Sequence, residues 1–99
     1  MVILEKHVQA KIIRYLKKRF PKAIVWKLTE ETNCGIPDII FLWSGMTIFF
    51  EVKRPGGTLR PLQKVVLKKI RDQNIHATVV HSVEEVQDYL ALNILDFKP

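Results

Sequence analysis

The chain has 99 residues, a net charge of +6 and 47% hydrophobic residues, which predicts one small folded domain over 1–99 and favours polyanionic partners, nucleic acid before anionic membrane. The single cysteine, Cys34, excludes an internal disulfide, and the start of the chain has no signal-peptide pattern, so we expect a reducing, cytoplasmic location. No apolar run approaches the ~20 residues that span a bilayer, which argues against a membrane-embedded protein.

Residues 2–19 predict an amphipathic helix that ends before Phe20 and Pro21. On a helical wheel, the apolar side chains fall within an arc of about 120°. These side chains are Leu4, Val8, Ile12, Tyr15 and Leu16. Glu5 lies inside the same arc, where a carboxylate is costly unless it is paired or bound to a cation. It either points toward the sheet as a possible metal ligand or remains half exposed near the helix N-terminus, where the helix dipole stabilises it.

Residues 23–28, Ala-Ile-Val-Trp-Lys-Leu, predict the first strand. Burial habits favour a core position for Trp26 over a position at a nucleic-acid surface. The polar segment that follows contains Glu30 and Glu31, a pattern more typical of a solvated loop than of metal ligands. Further on, Gly35 allows tight backbone geometry, and a proline fixes φ just before Asp38, so we expect a rigid approach to that aspartate.

The segments 38–43 and 46–53 are rich in β-branched and aromatic residues, and Ser44-Gly45 between them is a turn signal. Together they predict a β-hairpin. If the turn consists of those two residues, Trp43 pairs with Met46, and the rest of the register follows by counting outward.

That register places Asp38 directly opposite Glu51, with Cβ atoms ~5 Å apart. Lys53 lies two residues beyond Glu51 and therefore projects from the same face. Two carboxylates at that separation repel each other unless a proton or a cation lies between them, and oxygen ligands suit a divalent ion. The alternative is an exposed hairpin that carries a glutamate and a lysine on its edge.

Residues 54–74 predict a basic loop and a second helix, with Thr58 as its N-cap and Pro61 in its first turn. The apolar arc of this helix, about 140° wide, consists of Leu59, Leu62, Val66, Leu67 and Ile70. Gln63 falls inside the arc, and its buried amide needs partners, either the backbone or the site around Lys53. The opposite face is basic, with Lys64, Lys68 and Arg71; such a stripe is a solvated face or a track for a phosphate backbone.

Residues 75–81 predict a fourth strand, which a right-handed crossover makes parallel to the third. Ser82 then caps a third helix, with Glu85 completing a capping box. The apolar tail 92–99 has no obvious place in a small core and predicts a lid over the sheet or a self-association surface. The whole order is αβββαβα, an α/β fold with a mixed four-stranded sheet flanked by helices.

Residues 35–38 (Gly-Ile-Pro-Asp) followed by residues 51–53 (Glu-Val-Lys) resemble the signature of the PD-(D/E)XK nuclease superfamily. With Glu5 upstream and Gln63 downstream, the order and spacing resemble more specifically the VRR-NUC group, over nearly the whole chain. The resemblance implies a restriction-endonuclease-like core with the element order given above.

The resemblance also implies metal-dependent hydrolysis of phosphodiester bonds in DNA, with Mg²⁺ or Mn²⁺ as the cofactor. The implied metal ligands are Asp38, Glu51, the Val52 carbonyl and Glu5. Lys53 would position or activate the attacking water, and Gln63 would support Lys53.

Stand-alone VRR-NUC domains resemble structure-specific endonucleases, which implies branched DNA such as four-way (Holliday) junctions as the substrate. A protomer this small would match a two-fold junction as a homodimer. The alternatives are a flap- or duplex-cutting nuclease of the repair or restriction type, a catalytically silent DNA-binding module, and a subunit that acts through a partner. The presence of Asp38, Glu51 and Lys53 argues against a silent module.

Overall fold

The structure, a computed structural model, describes residues 2–29 and 34–94. Within them the element order αβββαβα and the α/β class are confirmed. The elements are α1 (Glu5–Arg19), β1 (Ile24–Lys27), β2 (Ile39–Trp43), β3 (Met46–Val52), α2 (Pro61–Asp72), β4 (His76–Val80) and α3 (Val83–Asn93). No helix in these two ranges is both long and apolar enough to cross a membrane.

The four strands form a mixed sheet in the order β1-β2-β3-β4. β1, β2 and β3 are antiparallel neighbours, and β4 is parallel to β3, as the crossover predicts. The hairpin register pairs Trp43 with Met46, also as predicted. Ser44 and Gly45 both have positive φ, 49° and 80°, the geometry of a two-residue turn whose twist matches that of the strands.

α1 and α3 pack together on one face of the sheet and close the main core. Alternate residues of the strands face this core because successive side chains of a strand point to opposite faces. Phe20, which follows α1, extends the core with edge-on contacts to Phe41 and Trp43, both with ring centroids 5.1 Å apart. The buried side chains are Val8, Ile12, Leu16, Phe20, Val25, Ile39, Phe41, Ile48, Phe50, Val52, Val80, Val86 and Leu90.

α2 packs on the opposite side of the sheet, against β4. Leu67 and Ala77 are buried there, and Arg71 Nε donates a hydrogen bond to the Ala77 carbonyl at 2.7 Å. We call this side the α2 face. Its strand residues are Ile24, Trp26, Ile40, Leu42, Thr47, Phe49, Glu51, Ala77 and Val79, by alternation from the core residues and by register.

Two predicted core positions are exposed on the α2 face. Trp26 is 57% exposed, because its neighbour Val25 takes the core-facing position on the short edge strand. Leu62, in the predicted apolar arc of α2, is 46% exposed, because that helix packs on the fourth strand and leaves its own flank open. The core assignments of Trp26 and Leu62 were therefore wrong.

The helix termini differ in part from the prediction. α1 begins at Glu5 rather than at residue 2, and Leu4 is its exposed N-cap. The N-cap of α2 is Arg60, not Thr58. The cap of α3 is confirmed, since Ser82 Oγ accepts a hydrogen bond from the Glu85 backbone N–H at 3.1 Å.

The start of the apolar tail also departs from the prediction. Residue 92 still belongs to α3, and Ile94, which ends the helix, packs against the core. Because this side chain has a place in the core, the expectation of an entirely unplaced apolar tail is wrong for its first part. The rest of the tail, and also Glu30 and Glu31, lie outside the described residues.

Candidate active site

The two candidate carboxylates meet where the hairpin strands end. Ile39 pairs with Phe50, so the next pair outward is Asp38 and Glu51. The Val52 backbone N–H donates a 2.7 Å hydrogen bond to Asp38 Oδ2, which ties the first carboxylate to the strand that carries the second. Glu51 lies between two core residues of β3, so its side chain points to the α2 face.

The backbone around Asp38 is held from both sides. The Leu28 N–H donates to the Asp38 carbonyl at 2.7 Å and extends the pairing of β1 with β2. Three residues earlier, Gly35 has φ +79°, and a Cβ there would lie 2.9 Å from the Leu62 carbonyl oxygen. Only glycine satisfies both conditions, and the resulting close approach packs the segment before Asp38 against the start of α2.

Glu51 is the most unusual group of the site. It is 2% exposed, and its Oε2 atom is buried without a hydrogen-bond partner. Burial, followed by the adjacent Asp38 carboxyl group, raises the pKa of Glu51 from 4.5 to about 8, against a smaller lowering by Lys53. The protonated form of Glu51 is therefore favoured at neutral pH in the metal-free protein, because burial and the neighbouring Asp38 carboxyl group both oppose its ionisation.

Lys53 is also buried, just beyond the end of β3. Its backbone N–H donates to the Val80 carbonyl at 3.0 Å, which continues the pairing with β4. Its Nζ atom lies 3.9 Å from Glu5 Oε1, so α1 reaches the site through an ion pair. The Glu5 carboxylate faces the lysine in this structure, and its role as a metal ligand stays a prediction.

Gln63 is buried at the start of α2, and its Oε1 accepts a hydrogen bond from the Arg60 backbone N–H at 2.8 Å. The backbone alternative for this amide oxygen is therefore observed, and it explains why the helix begins where it does. A role for Gln63 in supporting Lys53 stays a prediction, and it would use the second lone pair of the amide oxygen, because the amide N–H groups can only donate.

The donor set fits a hard divalent cation. In the part of the chain that the structure describes, no three His, Cys, Asp or Glu side chains gather as a metal site. The candidate protein ligands are thus two carboxylates, Asp38 and Glu51, with the Val52 carbonyl. Mg²⁺ is commonly bound by one or two carboxylates and otherwise by water and substrate oxygens. The unpartnered Oε2 of Glu51 is the atom that such an ion would satisfy.

Sequence reasoning missed one buried polar side chain on α1. Gln9 is nine-tenths buried, although it falls just outside the apolar arc of the helix. It follows Glu5 by four residues, so the two polar side chains are neighbours on one side of the helix. That spacing was the available signal, since Glu5 itself falls inside the apolar arc of the helix.

A family model described as the VRR-NUC domain matches residues 3–84, a range that includes every candidate residue from Glu5 to Gln63. The chain belongs to the VRR-NUC family. A solved structure titled "VRR_NUC domain" is 31% identical, with a TM-score of 0.69, and the match covers 91% of this chain and 96% of that chain.

A second VRR-NUC structure, titled "VRR_NUC domain protein", has a TM-score of 0.75 and covers 95% of this chain and 90% of that chain. Its identity of 18% shows the fold alone. No curated protein gives a significant match. The predicted VRR-NUC resemblance is confirmed, and the chain is a domain of a nuclease family.

Proposed function

We propose that this VRR-NUC chain is a Mg²⁺- or Mn²⁺-dependent DNA endonuclease that hydrolyses phosphodiester bonds in branched DNA, with four-way junctions as the first candidate substrate. The observation that carries the proposal is the pair of Asp38 and Glu51 beside the buried Lys53. A buried carboxylate with an unpartnered oxygen is costly for the fold, and its place next to a second carboxylate and a lysine is what phosphodiester hydrolysis needs.

The metal, when bound, would polarise the scissile phosphate and lower the pKa of a bound water. Asp38 is fixed by its bond from the Val52 N–H, so its carboxylate keeps one orientation toward the cation. Glu51 would hold the cation as a carboxylate, so metal binding would release its proton to solvent. Lys53, shielded from bulk water, would orient the attacking water or stabilise the negative charge that develops on the phosphate. Gln63 would support this lysine through its amide oxygen, which has a second lone pair besides the one that accepts from the Arg60 N–H.

The charge distribution favours DNA as the polyanion. On the side of the sheet opposite α2, the acidic residues Glu84, Glu85 and Asp88 of α3 lie beside the basic helix α1, so the charge of that side is mixed. The site's own side carries the basic residues of α2 and of the loop before it, and its one further acid there, Asp72, is paired with Lys68 at 2.9 Å. DNA would thus be attracted to the α2 face, where it meets the carboxylates only at the metal.

We infer recognition of DNA shape rather than base sequence, because a domain this small offers little surface for reading base edges. A two-fold homodimer would match a two-fold junction. Light scattering measures the oligomeric state independently of activity.

The test is a cleavage assay on a four-way junction, a flap, a single strand and a linear duplex, each with Mg²⁺, Mn²⁺ or EDTA. We expect metal-dependent cutting, fastest on the junction, that Lys53→Ala abolishes. If flaps or linear duplex are cut faster than the junction, the protein is instead a nuclease of the repair or restriction type. If the wild-type protein binds metal in calorimetry but cuts none of the four DNA substrates, the nuclease proposal is refuted and a catalytically silent DNA-binding module is favoured.

A further inference from the structure

Trp26 is an exposed aromatic side chain beside the candidate active site. In the ranges 2–29 and 34–94 it is the only exposed residue among the phenylalanines, tyrosines and tryptophans. An indole ring lying open on a sheet leaves a large apolar surface in water, and such surfaces mark places where a partner binds. The question is which partner this position fits.

The register places Trp26 close to the carboxylates. It pairs with Ile40, which lies two residues after Asp38 and points to the same face. A rise of ~3.4 Å per residue and a strand separation of ~4.8 Å put the Cα atoms of Trp26 and Asp38 about 8 Å apart. The indole therefore lies on the α2 face next to Asp38, where the nucleotide beside a bound phosphate would lie.

The charge of the α2 face indicates which kind of partner binds next to Trp26. The basic side chains of α2 and its preceding loop border the α2 face, and the acidic side chains of α3 lie on the other side of the sheet, beside the basic helix α1. A polyanion is therefore favoured over an acidic or neutral protein surface. An aromatic ring within a basic surface is the combination that binds unpaired nucleotides, with phosphates on the cations and a base on the ring.

We propose that Trp26 stacks on the free face of an unstacked base next to the phosphate that Asp38 and Glu51 would hold through the metal. This inference rests on the proposed nuclease function and deepens it by naming the feature that the site recognises. A base inside a continuous duplex has both faces covered by its neighbours and offers none to the indole. A base in a single strand, or at a branch point where the arms are unstacked, offers a free face, so stacking selects branched over continuous DNA without reading sequence.

Fluorescence tests the contact directly, because the chain has two tryptophans. Trp43→Phe leaves Trp26 as the only indole, and Trp26→Phe leaves Trp43, which is half-buried against Phe20. Both proteins would also carry Lys53→Ala, so that DNA can be added with Mg²⁺ without being cut. We expect a four-way junction to quench Trp26 strongly and Trp43 little, and a linear duplex to quench neither to that extent.

Binding measurements then test the energetics. Trp26→Ala is expected to weaken junction binding by about 5- to 100-fold, the usual range for loss of one aromatic–base stack, and Trp26→Phe to recover most of it. Ile24→Ala, an exposed residue on the same face two positions away, is the matched control. Duplex binding should change little in all three variants.

A substrate scan locates the base. Junctions with a single abasic site, placed at successive nucleotides around the branch point, should bind the wild type more weakly at one position. At that position Trp26→Ala should have no further effect, because its stacking partner is already absent. A merely structural role for Trp26 would not produce this dependence on one base.

Other outcomes would overturn the inference. Unquenched Trp26 with bound junction, or equal losses on junction and duplex, would reject stacking. A shift of Trp26→Ala toward monomers in light scattering, with DNA affinity unchanged, would assign the ring to self-association. Normal junction cleavage by Trp26→Ala would reject stacking and leave the nuclease intact, whereas selective quenching without any cleavage by the wild type would reject the nuclease.

Discussion

Glu51→Gln is expected to stabilise the metal-free protein at pH 8 and to have little effect near pH 5. The pKa of Glu51 rises from 4.5 to about 8 on folding, so between these values the folded state holds a proton that the unfolded chain releases. The free energy of unfolding therefore falls as pH rises through this window. Glutamine has nearly the same shape and is neutral throughout, so the variant lacks this loss.

The magnitude follows from the size of the pKa change. At ~1.4 kcal/mol for each pKa unit, a rise from 4.5 to about 8 sets an upper limit of about 5 kcal/mol. The site opens onto the α2 face, so small movements that admit water will reduce the penalty, and we expect a gain of about 1–3 kcal/mol at pH 8. For a domain of this size that corresponds to a rise in Tm of roughly 5–20 °C.

The assay is thermal or urea unfolding in EDTA at pH 5.5 and pH 8, for the wild type, Glu51→Gln and Glu84→Gln. Glu84 is an exposed residue in the first turn of α3, so its variant removes one carboxylate without changing a buried site. Its difference from the wild type should be the same at both pH values. Equal stability differences for Glu51→Gln at both pH values, or destabilisation at pH 8, would show that Glu51 is not held protonated by its surroundings.

Three further predictions concern the site and its support. Lys53→Ala should lower cleavage by about 100-fold or more while metal and junction binding, measured by calorimetry and anisotropy, remain. Gly35→Ala should destabilise the protein by about 2 kcal/mol or more in urea unfolding, because its φ is +79° and the new Cβ would lie 2.9 Å from the Leu62 carbonyl oxygen. Glu5→Ala and Gln63→Ala should lower the cleavage rate less than Lys53→Ala, and a loss as complete as that of Lys53→Ala would place either residue at the centre of the chemistry.

The hairpin could be predicted in detail because two independent patterns agree on it. A two-residue turn at Ser44 and Gly45 fixes the register, and a period of two then decides which side chains share a face. Asp38 and Glu51 follow from this counting without any knowledge of the rest of the fold. The order of the helices and the parallel fourth strand follow from equally local rules on helix periodicity and crossover connections.

The exposed positions could not be predicted because they depend on how elements cover one another. Nothing in residues 23–28 says that β1 is an edge strand or that α2 packs at the other end of the sheet. The assignment of Trp26 to the core was therefore wrong, although its alternation with Val25 was readable. The assignment of Leu62 to the core was wrong for the same reason, since a helical wheel gives the width of an apolar arc but not the share of it that a neighbouring element covers.

Glu51 is the site residue for which a purely structural role explains least. Gln63 has a structural task, because its oxygen caps α2. Lys53 has at least a carboxylate within ion-pair distance, on Glu5. At Glu51 the Oε2 atom is buried without a partner, and burial and Asp38 oppose ionisation more strongly than Lys53 favours it. Ionisation of Glu51 weakens the metal-free fold, and a bound cation would require that same ionised form. If Glu51→Gln both stabilises the metal-free protein and abolishes metal binding, the same carboxylate oxygens cause the loss of stability and bind the metal.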